Sequence, residues 1–346
     1  MSEPKHIYNL KLNSPYKLWR RVRMILLATP NQKVDLPPSY NIPIPFTPYD
    51  QGNIGSCTAN SVCASIRIHA KNIVDPSRLF LYYQAREKEN SLDKEGAYID
   101  DVYNTLKELG VCNESTWPYI IGNENIKPNS QAYTEAKNIR TSSWGNVSPL
   151  PSIVDGIKQT IYNNKPVVLG IRVYQSFESD DVAKTGIVPV PDTGKEKLYG
   201  GHAIIAIGFD DSKDALLLMN SWGPHWGTNH PTTTTKGFCY LPYTFVNDPH
   251  LCDEAVFMAD VIVNGIVRTP PTTPRAVQEI KSVEPVIEVK NEPVIVEPSK
   301  EIKNEPTISQ RYQHAPITRN IDDPPIAQRY QPQENKNGPV VSQRYK

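Results

Sequence analysis

The chain has 346 residues with 37 basic and 37 acidic side chains, so it lacks the basic excess that a dedicated nucleic-acid binder carries. It has no run of about eighteen apolar residues, which excludes a membrane-spanning helix, and its longest early apolar stretch, residues 24–28, is too short for a secretion signal. Hydrophobic residues at 38% and 32 prolines against 18 glycines imply a folded part diluted by sequence that does not fold, while five cysteines without a secretion signal predict a reduced setting, cytoplasm or virion.

Residues 1–33 form an N-terminal extension in which Tyr16-Lys-Leu-Trp-Arg-Arg-Val-Arg-Met-Ile-Leu-Leu is basic and amphipathic. The expected role is an element packed permanently on the domain, with a short inhibitory pro-segment as the alternative. Next comes Asp50-Gln-Gly-Asn-Ile-Gly-Ser-Cys-Thr-Ala-Asn-Ser, where Gly52 and Gly55 mark a turn and Ser56 suits a helix N-cap. Ala59, Val62, Cys63, Ile66 and Ala70 then follow helical spacing and describe one buried stripe. Cys57 therefore falls at the first turn of a core helix, where the dipole and free N–H groups lower a thiol's pKa. Cys63, on the stripe, and Cys112, beside Val111, read as structural core thiols.

Farther along, Ala203-Ile-Ile-Ala-Ile is an apolar run bounded by glycines and reads as a buried strand that His202 opens. Leu216-Leu-Leu-Met reads as a second strand ending in Asn220, and Asp210-Asp-Ser-Lys-Asp between them is turn chemistry. Paired as a hairpin, the two strands set His202 roughly opposite residues 220–222, which joins an imidazole, an amide and an indole. A thiol, an imidazole and an amide that orients the ring make a complete apparatus for acyl transfer. Gln51, six residues before Cys57, can add a side-chain N–H to the Cys57 backbone N–H as the donors for an oxyanion.

His225, His230, Cys239 and Cys252 match no standard metal-ligand spacing, and residues 227–236 read as a surface insertion, so no metal is expected. The sequons at Asn113 and Asn146 are read as incidental. From residue 266 onward there is no Leu, Phe, Trp, Met or Cys, and proline appears 12 times. Such a composition cannot offset its own ordering entropy and predicts a disordered tail over residues 266–346. The tail repeats Ser309-Gln-Arg-Tyr, Ala327-Gln-Arg-Tyr and Ser342-Gln-Arg-Tyr. One reading is a solvated spacer; the other is a multivalent ligand offering a protein partner several tethered Arg–Tyr pairs.

Three motifs in order, Gln51-Gly-x-x-Gly-Ser-Cys57, Gly201-His202-Ala and Asn220-Ser-Trp-Gly-x-x-Trp-Gly227, resemble the papain-like cysteine peptidases. Asp35-Leu-Pro-Pro-Ser, Pro76-Ser-Arg-Leu-Phe-Leu-Tyr-Tyr, Gly110-Val-Cys-Asn-Glu-Ser-Thr-Trp-Pro-Tyr and Gly237-Phe-Cys-Tyr-Leu-Pro-Tyr extend the similarity, which is nearest the compact branch of bacteria, archaea and large DNA viruses. The resemblance implies an α+β fold with a helical lobe, a β-rich lobe and a cleft between them, over residues 34–265. It implies Cys57 as nucleophile, His202 as general base and acid, Asn220 as orienter, Gln51 in the oxyanion hole, Trp222 as a shield over the His–Asn contact and Gly96 as a match to the substrate-pairing glycine. The expected activity is that of an endopeptidase working through a thioester, with a resting thiolate–imidazolium pair, no cofactor, protein or peptide substrates, and neither nucleic acid nor membrane as partner. The alternative is an inert platform that acts through its tail. Ile54 stands where the family often has a disulfide-forming Cys, and Thr58 where it commonly has Trp.

Overall fold

The computed structural model describes residues 4–12, 35–149 and 151–269. In chain order these form β1 (Ser39–Asn41), α1 (Cys57–His69), α2 (Arg78–Lys88), α3 (Ile99–Glu108), α4 (Ser130–Ala136), β2 (Ile139–Arg140), β3 (Trp144–Asn146), α5 (Ile153–Tyr162), β4 (Val167–Tyr174), α6 (Asp180–Thr185), β5 (Leu198–Asp210), β6 (Ala215–Met219), β7 (Thr228–Asn229), β8 (Lys236–Pro242), α7 (Tyr243–Asn247), β9 (Cys252–Met258), β10 (Val261–Val263) and β11 (Ile266–Arg268). The amphipathic stretch from Tyr16 and the Gln-Arg-Tyr repeats lie outside the described residues.

The fold is α+β. Helices α1–α3 pack together, and α1 rests on a sheet ordered β3-β9-β4-β5-β6-β8-β7, with β1 added to β5 and a small sheet β11-β10-β2 beside it. Strand β5 is the spine of the larger sheet, because its run from Gly201 to Phe209 is buried on both faces. The last strand, β11, lies within the residues expected to begin the tail and pairs Val263 with Ile266 around a two-residue turn. No helix among the described residues is long and apolar enough to cross a membrane.

Helix α1 follows the predicted apolar spacing, but one stripe understates it. Every residue from Cys57 to His69 except Arg67 is buried, since α1 is wedged between β5 and the helices α2 and α3. Its small residues allow this, and Ser61 Oγ donates to the Ala203 carbonyl of β5 at 3.0 Å. Ser56 holds the N-cap position yet makes no side-chain cap. Its hydroxyl is engaged by Tyr119 Oη at 2.6 Å and Asn60 Nδ2 at 2.9 Å instead. His202 does not open its strand: β5 begins four residues earlier, and Gly200 and Gly201 pair with Val173 and Arg172 of β4.

One buried cation organises the wall of the cleft. Arg86, 1% exposed, donates to the Lys94 carbonyl at 3.0 Å, to Asn125 Oδ1 at 2.8 Å and to the Glu124 carbonyl. Its guanidinium also lies over the Tyr82 ring, whose hydroxyl accepts the Gly96 N–H at 2.9 Å. Removing Arg86 loses these part-buried hydrogen bonds and empties the space of a fully buried side chain packed on Tyr82, so Arg86→Ala is expected to lower stability by about 2–4 kcal/mol. A denaturant titration checks this, and a loss below about 0.5 kcal/mol would contradict it.

Candidate active site

Cys57 begins α1 and is fully buried, and the backbone of Ala203, Thr58, Cys57 itself and Leu10 favours its thiolate against that burial. His202 lies on β5, and the hairpin register Ile205↔Met219 carries it to the level of the residues just after β6. The two meet as expected: His202 Nε2 lies 2.9 Å from Asn220 Oδ1. The same oxygen accepts the Ser221 N–H at 2.8 Å, which fixes the amide with its oxygen toward the imidazole. Nε2 must then donate, so in the neutral ring Nδ1 is the acceptor. Nδ1 is buried with no hydrogen-bond partner among the described residues, as a base awaiting a proton requires.

Gln51 is fully buried and clamped at both ends of its amide. Its Nε2 donates to the Ile54 carbonyl at 3.0 Å, and its Oε1 accepts from Ser221 Oγ at 2.6 Å, leaving one N–H for another acceptor. The backbone continues the clamp, because Gln51 N donates to the Ser221 carbonyl at 2.8 Å and Asp50 bridges Trp222. Ser221 thus ties the amides of Gln51 and Asn220 together. The sequence reading passed over Ser221, although it sits between two residues that were singled out. Trp222 packs against His202 with ring centroids 5.1 Å apart.

Residues 4–12 lie across this site; an inhibitory pro-segment was the alternative role for residues 1–33, but it rested on the stretch from Tyr16 and not on these residues. Leu10 N donates to the Gly201 carbonyl at 2.9 Å, Asn9 bridges Gly201, and Lys11 N donates to the Ala97 carbonyl at 3.3 Å. The approach is close enough that a Cβ on Gly96, whose φ is +84°, would lie 1.6 Å from the Asn9 carbonyl oxygen. Gly96 therefore faces an extended chain as expected, but the carbonyl that pairs with that chain belongs to Ala97. His6 stacks flat on Trp222, with centroids 3.9 Å apart and planes within 2°. Glu178 holds this end, accepting from Lys5 N at 2.6 Å, His6 N at 3.0 Å, His6 Nδ1 at 3.1 Å and the Tyr8 hydroxyl. A signal was present: Tyr8, Leu10 and Leu12 alternate with Ile7, Asn9 and Lys11, the period of a strand.

Burial weighs on the protonation of the pair. It pushes the Cys57 thiol up to about 11 against the pull of the nearby backbone, and it lowers His202 to about 4 despite the Asn220 bond. Burial thus favours the neutral forms of thiol and imidazole and works against the expected ion pair. Glu178 shows the opposite balance: burial works to raise its pKa, yet the donors on His6 and Tyr8 bring it below the usual carboxylate value.

The residues weighed as metal ligands have structural partners or stand apart. His230 contacts the Ile42 carbonyl at 3.2 Å and Thr232 Oγ1 at 3.0 Å, and among the described residues no group of three or more His, Cys, Asp or Glu could hold a metal ion. All five cysteines are free thiols, Cys63 and Cys112 being fully buried.

Comparison with known proteins agrees with this geometry. The family model described as "Papain family cysteine protease" matches residues 46–238. An uncharacterized peptidase C1-like protein of Acanthamoeba polyphaga mimivirus is 35% identical over 238 residues, covering 66% of this chain and 74% of that one. Cathepsin S of Bos taurus is 25% identical over 185 residues, and the chain spans only 52% of its length. Among solved structures, xylellain, a cysteine protease from Xylella fastidiosa, superposes with a TM-score of 0.61 at 30% identity, covering 74% of this chain and 96% of that one.

If the segment governs the thiol, loosening it must change the thiol's titration. The rate of Cys57 alkylation against pH should rise toward about 11 in the intact chain. In the full-length His6→Ala, Tyr8→Ala double variant the midpoint should fall by about one unit or more as water returns. An unmoved midpoint would show that the cover is not what keeps the thiol protonated.

Proposed function

The chain belongs to the papain family of cysteine proteases, and from that premise we propose that it is an endopeptidase in which Cys57, His202, Asn220 and Gln51 perform the chemistry. The observation that carries this reading is the His202–Asn220 contact at 2.9 Å, which leaves Nδ1 unpartnered in a cleft whose other wall is the N-terminus of α1. The Cys57 proton passes to His202 Nδ1, and the sulfur attacks the carbonyl carbon of the scissile bond. The carbonyl oxygen takes the charge and is met by the Cys57 N–H and the free N–H of Gln51. Collapse breaks the C–N bond, His202 returns the proton to the leaving amine, and a thioester remains on Cys57. Water, deprotonated by the same ring, then releases the acid and restores the thiol. Asn220 keeps the ring in the tautomer that makes both transfers feasible, and Trp222 keeps water from that hydrogen bond.

The segment over the cleft fits an inhibitory role within this reading. The segment's backbone takes up the Gly201 and Ala97 carbonyls, so it occupies the cleft walls that an entering chain would pair with. The intact chain should be slow, and the His6→Ala, Tyr8→Ala variant faster, on a fluorogenic peptide. In that opened background Cys57→Ala abolishes turnover, His202→Ala comes close to doing so, and Asn220→Ala costs less because it orients rather than reacts. Gln51→Ala should lower kcat by about 10²–10³-fold, the usual cost of one oxyanion donor. Turnover that persists in Cys57→Ala would overturn the assignment.

A further inference from the structure

Glu178 lies near the end of the short stretch between β4 and α6, with its side chain 4% exposed. Among the described residues, every hydrogen bond to its carboxylate comes from the covering segment: Lys5 N, His6 N, His6 Nδ1 and the Tyr8 hydroxyl. When that segment leaves, the carboxylate loses these donors and opens to the groove, where a chain entering the cleft can supply donors in their place.

The surroundings define what fits. Beside Glu178 the Trp222 face is covered by His6 in parallel contact at 3.9 Å, while Phe177 meets the Trp222 edge at 5.7 Å. A flat, donor-bearing ring therefore already occupies the place between an indole and a carboxylate. Beyond it, an open groove lined by Glu178, Asp180, Glu196 and Tyr199 receives Lys5, whose ammonium reaches Asp180 at 2.6 Å. The end of the segment in this groove is Lys5-His6, basic where the groove is acidic.

The position relative to the scissile bond follows from the chemistry. His202 hands its proton to the leaving amine, and Trp222 is the ring packed on His202. The chain that departs with that amine runs over Trp222 toward Glu178, whereas Gly96 and Ala97 wall the other half of the cleft. We propose that Glu178 and the Trp222 face form a leaving-side subsite that selects arginine within the first two residues after the bond cut, so that the substrates are polypeptides basic on that side. A guanidinium satisfies both demands, lying flat on the indole while it forks to the carboxylate, which an ammonium cannot do.

This inference rests on the peptidase reading, and one experiment separates the two. The full-length His6→Ala, Tyr8→Ala protein is given a coumarin-amide peptide, then quenched-fluorescence peptides that differ only in having Arg or Ala at the first and second leaving-side positions. Release of coumarin together with a kcat/KM ratio favouring Arg by about tenfold to a hundredfold is the expected result, the size of one charge-assisted hydrogen bond. Glu178→Gln in that background should bring the ratio to within about threefold of one, and Glu178→Arg should turn the preference toward Glu peptides. Because each ratio is taken within one preparation, partial folding of a variant does not disturb it. Coumarin release with no Arg preference, or with a preference that survives Glu178→Gln, overturns the subsite alone. No coumarin release overturns the peptidase reading and the subsite with it.

Discussion

The chemistry of this cleft depends on the seating of one helix end on one strand. Helix α1 presents Cys57 at its first residue, and β5 presents His202, so the thiol and the base meet only while α1 stays pressed on β5. Small side chains along α1 permit that approach, and the Ser61 hydroxyl bound to the Ala203 carbonyl fixes it one turn from the nucleophile. A larger residue at the contact would force Cys57 and His202 apart. The clamp between Gln51 and Ser221 performs the same task on the other side, tying the Gln51 amide to the residue that follows Asn220. Helical and β-rich halves are thereby joined around the proposed site.

Burial serves two purposes that conflict. It holds the constellation rigid, and it removes the solvent that would let a thiolate and an imidazolium form. The covering segment adds to that burial through groups on the cleft walls. Gly201 and Ala97 lend their carbonyls to its backbone, and Glu178 accepts its donors. On the proposed reading, inhibition and substrate recognition draw on the same polar groups.

Much of the site was legible in the sequence because it resides in short motifs on strongly patterned elements. The apolar run after His202 and the strand before Asn220 fix a hairpin register from composition and turn residues alone, and the observed pairing agrees. The helical spacing after Cys57 was equally plain, although spacing on one face cannot reveal that a helix will be enclosed on all sides. Ser56 misled for a related reason: its type suits a cap, but the neighbouring Tyr119 and Asn60, distant or unremarked in sequence, capture its hydroxyl. Residues 4–12 escaped notice because their alternation is brief and charged residues interrupt it. Glu178 escaped because a lone carboxylate acquires meaning only from what is folded against it. The lowered pKa expected for Cys57 competes with burial, since helix geometry is local while burial comes from elements far away in the chain.

The central claim is that the Cys57 sulfur carries the acyl group, and the covalent intermediate itself tests it most directly. The opened full-length protein would be mixed with a peptide ester, quenched in acid within the first turnovers, digested and mapped by mass spectrometry. The expected result is an acyl mass on the peptide containing Cys57, present with His202 and absent from the His202→Ala protein. An acyl group on another residue, or steady ester hydrolysis with no adduct on Cys57 at any quench time, would contradict the claim.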